Sequence, residues 1–209
     1  KRVIAVSDVA AESFRPGVIG RLGLGYEVMS RLKPDIIMVS VSSSGQSGPD
    51  SHFAGYAPLF GAWGGLGELT GFHDGPPVEM RHVMDHTVGM NSAVALMAAL
   101  HKRRMTGRGG LVDVSAREVA SSLIGEALLL AAVGQKPQRT GNAHEVMAPH
   151  GVYPAQGDDR WLSIAVASDE EWHALIQIIG AGADRPHLMT AAGRKEHEAE
   201  VDAIVSTWS

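Results

Sequence analysis

A single carboxylate, Asp85, stands at the head of a largely apolar helix within the stretch Arg81 to Gly109 (RHVMDHTVGMNSAVALMAALHKRRMTGRG). Val88, Met90, Ala93, Val94, Leu96, Met97 and Leu100 predict a helix that is apolar almost all round, a pattern that belongs buried between layers. Asp85 would open that helix, at the positive end of its dipole. Two chemistries fit a carboxylate there. As an N-cap it accepts a hydrogen bond from the Thr87 or Val88 amide. As a nucleophile it is held ionised by the helix terminus and can carry covalent intermediates. His82, Asp85 and His86, spaced i, i+3 and i+4, offer a third reading, the paired ligands of a metal hydrolase. A helix that begins at Asp85 leaves His82 outside it, and neither a further histidine motif nor a glutamate base accompanies the trio, so no metal is expected.

A second candidate is the polar run Ser42-Ser43-Ser44-Gly45-Gln46-Ser47-Gly48-Pro49, whose backbone amides could meet an anion or a thioester. Taken alone, the same composition describes a flexible connection. Arg21, on a short helix beside glycines, is either a surface side chain or a phosphate contact.

The elements that must position these residues alternate between strand and helix. Lys1 to Ser7 is ambiguous, and Val9-Ala10-Ala11 reads as a short buried strand. A short helix covers Val18 to Leu22, and a second runs from Tyr26 to Leu32 and stops at Pro34. Asp35 to Val41 is the near-continuous apolar strand of a parallel sheet. Together these make a βαβ unit whose loops gather at the carboxyl ends of strands. Glycines cluster between Gly61 and Gly71, which suggests close backbone packing or approach to a ligand. After the Asp85 helix, His101-Lys102-Arg103-Arg104 suits the negative dipole end. Leu111 to Ser115 alternates like a strand, and Ala116 to Val133 reads as one further apolar helix.

Residues 135–140 read as a polar linker between a larger unit, 1–134, and a smaller α+β unit, 141–209. In the latter, Gly157-Asp158-Asp159 marks a hairpin, and Ser168 with Glu171 a capping box. The capped helix carries Trp172, Leu175, Ile176 and Ile179, and a last helix from about Glu196 buries Val201, Ile204, Val205 and Trp208.

Composition bounds the function. With 209 residues, 44% hydrophobic and 20% charged, the chain can bury a sizeable core. A net charge of -5 with no basic stripe argues against nucleic acid as a partner. The absence of cysteine removes thiol chemistry and fits a cytoplasmic location. The apolar run 127–133 is too short to span a bilayer. Opening at Lys1, the chain reads as an internal segment of a longer protein.

Several stretches in register resemble the class III coenzyme A transferases, which include formyl-CoA:oxalate and carnitine CoA-transferases and the 2-methylacyl-CoA racemases. They are Ser13-Phe14-Arg15-Pro16-Gly17, Arg21-Leu22-Gly23-Leu24-Gly25-Tyr26, Gly45-Gln46-Ser47-Gly48-Pro49, Gly75-Pro76-Pro77-Val78, Asp85, Thr106-Gly107-Arg108-Gly109 and Ala148-Pro149-His150-Gly151-Val152-Tyr153. The resemblance spans nearly the whole chain. It implies an incomplete Rossmann-like parallel-sheet α/β domain followed by a small α+β domain, an interlocked homodimer, and coenzyme A as substrate and product. It implies that Asp85 is the nucleophile of an exchange between an acyl-CoA and a free carboxylic acid, and that Phe14, Arg21, Ser44 and Gly45 bind coenzyme A. Ser44 stands where the family carries an aromatic residue, and the stretch His144 to His150 replaces the glycine-rich loop of the oxalate enzyme. Oxalate is therefore not the expected substrate, and His86, His144 and His150 have no assigned role. A racemase needs a base on each face of the carbon beside the thioester. The racemases of this family place a histidine where this chain has Tyr56, a poor base at neutral pH. Exchange between acyl-CoA and carboxylate is the favoured reading. A family segment that keeps the fold without coenzyme A affinity is the non-enzymatic alternative.

Overall fold

A computed structural model describes residues 1–79 and 81–209. The chain divides into two compact units, residues 1–71 with 75–139, and residues 72–74 with 140–209.

The larger unit is α/β. It contains strand β1 (Val9–Glu12), helices α1 (Val18–Arg21) and α2 (Tyr26–Leu32), strand β2 (Ile37–Ser42), helices α3 (Ala57–Trp63), α4 (Leu66–Leu69) and α5 (Val83–Thr106), strand β3 (Gly110–Ser115), and helices α6 (Ala116–Ser122) and α7 (Gly125–Ala132). The strands form one parallel sheet in the order β1-β2-β3, with Val9 opposite Ile37 and Ile37 opposite Gly110. β2 is central, and its Ile37, Met38, Val39 and Ser40 are buried, as its near-continuous apolar sequence predicts. The ambiguous opening segment contains a single 3₁₀ turn, Ile4–Val6.

α5 departs from expectation. It starts two residues before Asp85, and only Met84 and Val88 are buried along it. Met90, Val94 and Met97 are 65%, 69% and 69% exposed. Apolar sequence on every face says that a helix can be covered all round. Which faces are covered depends on the neighbours, and here β2, β3, α3 and α6 pack on one side. Ala57, Met84, Val88, Val114, Ala116 and Ala120 form the core under that side.

The far end of α5 is anchored by charge. Gly107, at φ 70°, ends the helix and donates to the Arg103 carbonyl at 2.7 Å. Arg103 reaches back to the Asp8 carbonyl and carboxylate, both at 3.2 Å. Gly109 then passes so close to residues 35 and 36 that a side-chain carbon there would overlap the Ile36 carbonyl. Only glycine lets β3 begin beside β2.

The expected single helix from Ala116 to Val133 is two. Ser115 caps α6 by accepting from the Glu118 amide, and the helix ends at Ser122 before α7 restarts at Gly125. The Leu123 and Ile124 amides bond to carbonyls three residues back, the tighter 3₁₀ pattern, before α7 starts at Gly125. Apolar periodicity does not register such a break.

The smaller unit pairs β4 (His150–Pro154) and β5 (Trp161–Ala165) as an antiparallel hairpin, followed by α8 (Asp169–Ile179), α9 (Ala191–Glu196) and α10 (Glu198–Trp208). The Ser168 hydroxyl accepts from the Glu171 amide, and the Glu171 carboxylate accepts from the Ala167 amide, one residue earlier than in the standard box. Trp172, Ile176, Leu188, Val201 and Ile204 form the core, whereas Trp208, expected inside, is 42% exposed at the helix end. Arg194 is fully buried against the Trp172 ring. It donates to the carbonyls of Ala148, Leu188 and Ser168 and pairs with Asp169. Burial, and then the hydrogen bond that its hydroxyl donates to Asp202 at 2.6 Å, push the Tyr153 phenol far above its ordinary range, so it stays neutral.

Candidate active site

The carboxyl ends of all three parallel strands open into one cavity of about 690 Å³. Beyond β1 the loop Ser13-Phe14-Arg15-Pro16 lines it. Beyond β2 come Val41, Ser42 and Ser43, and at the end of β3 comes Ala116. Ligands of open α/β sheets gather at this end, where loops diverge and leave a crevice. Phe53, Tyr56 and Phe60 add aromatic walls, and Asp85, Val88, Gly89 and Ser92 complete the lining. Those last four are spaced i, i+3, i+4 and i+7, one face of α5. The volume is in the range of a small-molecule site, and a mostly apolar wall with few polar groups is typical of one.

Asp85 lies in the first turn of α5 and is exposed, with no hydrogen bond or ion pair to any described residue. The N-cap position belongs to His82, at φ 53°, whose side chain makes no capping hydrogen bond to any described residue. The capping role therefore falls away, because the helix starts earlier than its apolar pattern suggests. His86 turns aside from the carboxylate, its Nδ1–H donating to the His82 carbonyl at 2.8 Å. Among the described residues, no group of three or more histidine, aspartate or glutamate side chains is arranged to hold a metal ion.

The loop after β2 is not a loose connection. The Asp113 carboxylate accepts the Gln46 amide at 3.0 and 3.1 Å, the Arg117 amide donates to the Ser43 carbonyl, and the Arg117 guanidinium pairs with Asp50 at 2.6 Å. Gly45 and Gly48 take φ of 84° and 100°, which turns the chain between those ties. The hydroxyls of Ser42, Ser43 and Ser44 are buried without a hydrogen-bond partner among the described residues. Buried polar atoms of this kind are costly and cluster at functional sites.

Of the residues singled out from sequence, Phe14, Ser42, Ser43, Tyr56 and Asp85 meet in this cavity. Phe14 is held there by its own amide, which donates to Glu12 at 2.8 Å. Ser44 and Gly45 sit one and two residues past the lining residue Ser43 but do not line the cavity themselves. Arg21 is exposed, outside it, with its guanidinium near Gly17. Sequence reasoning missed Arg15, Phe53, Phe60, Gly89 and Ser92. For Gly89 and Ser92 the signal was present: counting four and seven residues on from Asp85 keeps to one helix face.

The model of CoA-transferase family III matches residues 1–209. The chain belongs to that family. It is 34% identical, over its whole length and 53% of the relative's, to the succinyl-CoA–D-citramalate CoA-transferase of Chloroflexus aurantiacus. It is 37% identical, over 90% of its length and 48% of the relative's, to the acetyl-CoA:oxalate CoA-transferase of Acetobacter aceti. A CAIB/BAIF family protein from Brucella suis superposes with a TM-score of 0.89 at 30% identity, over 99% of this chain and 55% of that one. The chain spans about half the length of these relatives.

Proposed function

We propose that the protein to which this chain belongs transfers coenzyme A from an acyl-CoA to a free carboxylic acid, with Asp85 as the covalent carrier. The observation that carries the reading is an unpartnered carboxylate in the first turn of a long helix, on the wall of a largely apolar cavity at the carboxyl end of the sheet. Membership of the family supplies the reaction class.

The chemistry follows from what a carboxylate can do. An Asp85 oxygen attacks the thioester carbonyl carbon, the carbon–sulfur bond breaks, and the thiolate of coenzyme A leaves with the electron pair, giving a mixed anhydride. The thiolate then attacks the aspartyl carbonyl of the anhydride and expels the donor's carboxylate, leaving an Asp85–coenzyme A thioester. An acceptor carboxylate runs both steps in reverse and returns Asp85 free. No water enters the balance, and the aromatic walls help to exclude it. Arg15 is the cation among the described lining residues and suits the carboxylate of the acceptor or the departing acid. Arg21, Ser44, Gly45 and Phe14 are assigned to coenzyme A itself, with Arg21 on a phosphate.

Transfer is favoured over racemisation because none of the described lining residues is a histidine. Tyr56 occupies the wall, while His52, outside the lining, stacks on Phe53 with ring centroids 4.2 Å apart. The exposed apolar side chains of α5 fit a homodimer, with the remainder of the protein or a second copy covering them.

Incubating the intact protein with acyl-CoA and then hydroxylamine should leave a hydroxamate on Asp85, located by mass spectrometry. Asp85→Asn should fold normally, form no adduct and lose at least about 10³-fold in turnover. A label elsewhere, or full turnover in Asp85→Asn, would refute the assignment.

A further inference from the structure

Gly89 is a glycine that its own helix does not need. It sits inside α5, in its second turn, with a helical rather than a left-handed φ. A side-chain carbon built on it would meet nothing within 4 Å. Glycine at such a position weakens a helix relative to alanine, through the extra backbone freedom lost on folding. Neither a tight turn nor a close neighbour within the described residues offsets that cost. Gly89 nevertheless lines the cavity that Asp85 lines, one turn further along the same face.

We propose that Gly89 is a specificity-determining residue, leaving open the wall beside Asp85 over which the acyl group of the donor extends. The inference rests on the reading of Asp85 as nucleophile. On a helix rising 1.5 Å per residue, Gly89 lies ~6 Å and Ser92 ~10 Å along the axis from Asp85. An acyl group bonded to the Asp85 oxygen and lying along α5 therefore crosses Gly89 after its first few carbons. Val88 and the rings of Tyr56 and Phe60 also face this space. Ser92 gives its hydroxyl proton to the Val88 carbonyl at 2.7 Å and so keeps its lone pairs for a donor group on the ligand. A methyl group at position 89 would project into the path of the acyl chain, where a two-carbon donor barely reaches and a four-carbon donor must pass.

The test is single-turnover release of the donor's free acid by the intact protein from acyl-labelled acetyl-CoA, butyryl-CoA and succinyl-CoA, in wild type, Gly89→Ala and Gly89→Val, alongside thermal unfolding. Wild type should accept four-carbon donors. Gly89→Ala should melt on the order of 2 °C higher, because the helix gains propensity. It should nevertheless lose about tenfold more rate with the four-carbon donors than with acetyl-CoA, the scale of one added methyl group in a pocket, and Gly89→Val should lose more. A rise in stability with a size-graded loss of rate is not what a packing glycine would give. The inference is overturned if Gly89→Ala melts lower, if all donors slow equally or not at all, or if wild type accepts acetyl-CoA alone. Failure of wild type to free the acid of any donor, with no hydroxamate on Asp85, strikes the transferase reading itself, and this inference with it.

Discussion

At the residue scale, chemistry and binding are proposed for different residues. The Asp85 carboxylate has no partner among the described residues, so replacing it should cost function and little stability. Arg21 is the complementary case. It is exposed, and its guanidinium rests near Gly17. Arg21→Ala in the intact protein should leave thermal unfolding almost unchanged and weaken coenzyme A binding by about 1.5–3 kcal/mol, the value of a charge-assisted contact, read by isothermal titration. Unchanged affinity together with a lower melting temperature would make Arg21 structural.

At the element scale, what places Asp85 is the register of α5 against the sheet. Its start is carried by the burial of Met84 and Val88, and its end by Gly107, Arg103 and the close pass of Gly109 over Ile36. Gly109→Ala would force the β2–β3 contact apart. It should destabilise the larger unit by about 1–3 kcal/mol in urea unfolding, and it should slow transfer as well, because the same strands end at the cavity. Wild-type stability in this variant would mean that the contact gives way freely. The alternation of Leu111 to Ser115 and the proline at 34 made β3 and the end of α2 legible in the sequence. The break between α6 and α7 was not legible, because Leu123 and Ile124 fit an apolar helix as well as they fit a bend.

At the scale of the whole molecule, the exposed side of α5 is the largest departure from what its sequence suggests. Met90, Val94 and Met97 stay uncovered, and Leu129 and Val133 around α7 are both 71% exposed. Exposed apolar side chains concentrated on two helices mark surfaces that meet another partner. The chain spans about half the length of its relatives, and we propose that the rest of the protein or a second copy covers this face. If it is a second copy, Val94→Glu with Met97→Glu in the intact protein should halve the mass seen by sedimentation. A dimer that survives both charges would assign this face to the rest of the same chain. Among the described residues no helix is long and apolar enough to cross a membrane.

The sequence by itself determined the class of the fold and drew attention to Asp85, the residue proposed as nucleophile. Buried parallel strands are apolar throughout, helix ends carry glycine and proline, and a carboxylate beside a long apolar helix stands out because charge there is rare. Only the tertiary structure decided which residues share the cavity. Phe14, Ser43, Tyr56, Asp85 and Ala116 come from five separate stretches of the chain. They meet because parallel strands all point their carboxyl ends the same way, so residues far apart in sequence converge wherever those ends stop. It also decided that Asp85 is no cap and that most of α5 faces outward. Both depend on where neighbouring elements stop, and a local pattern of residue types does not record that.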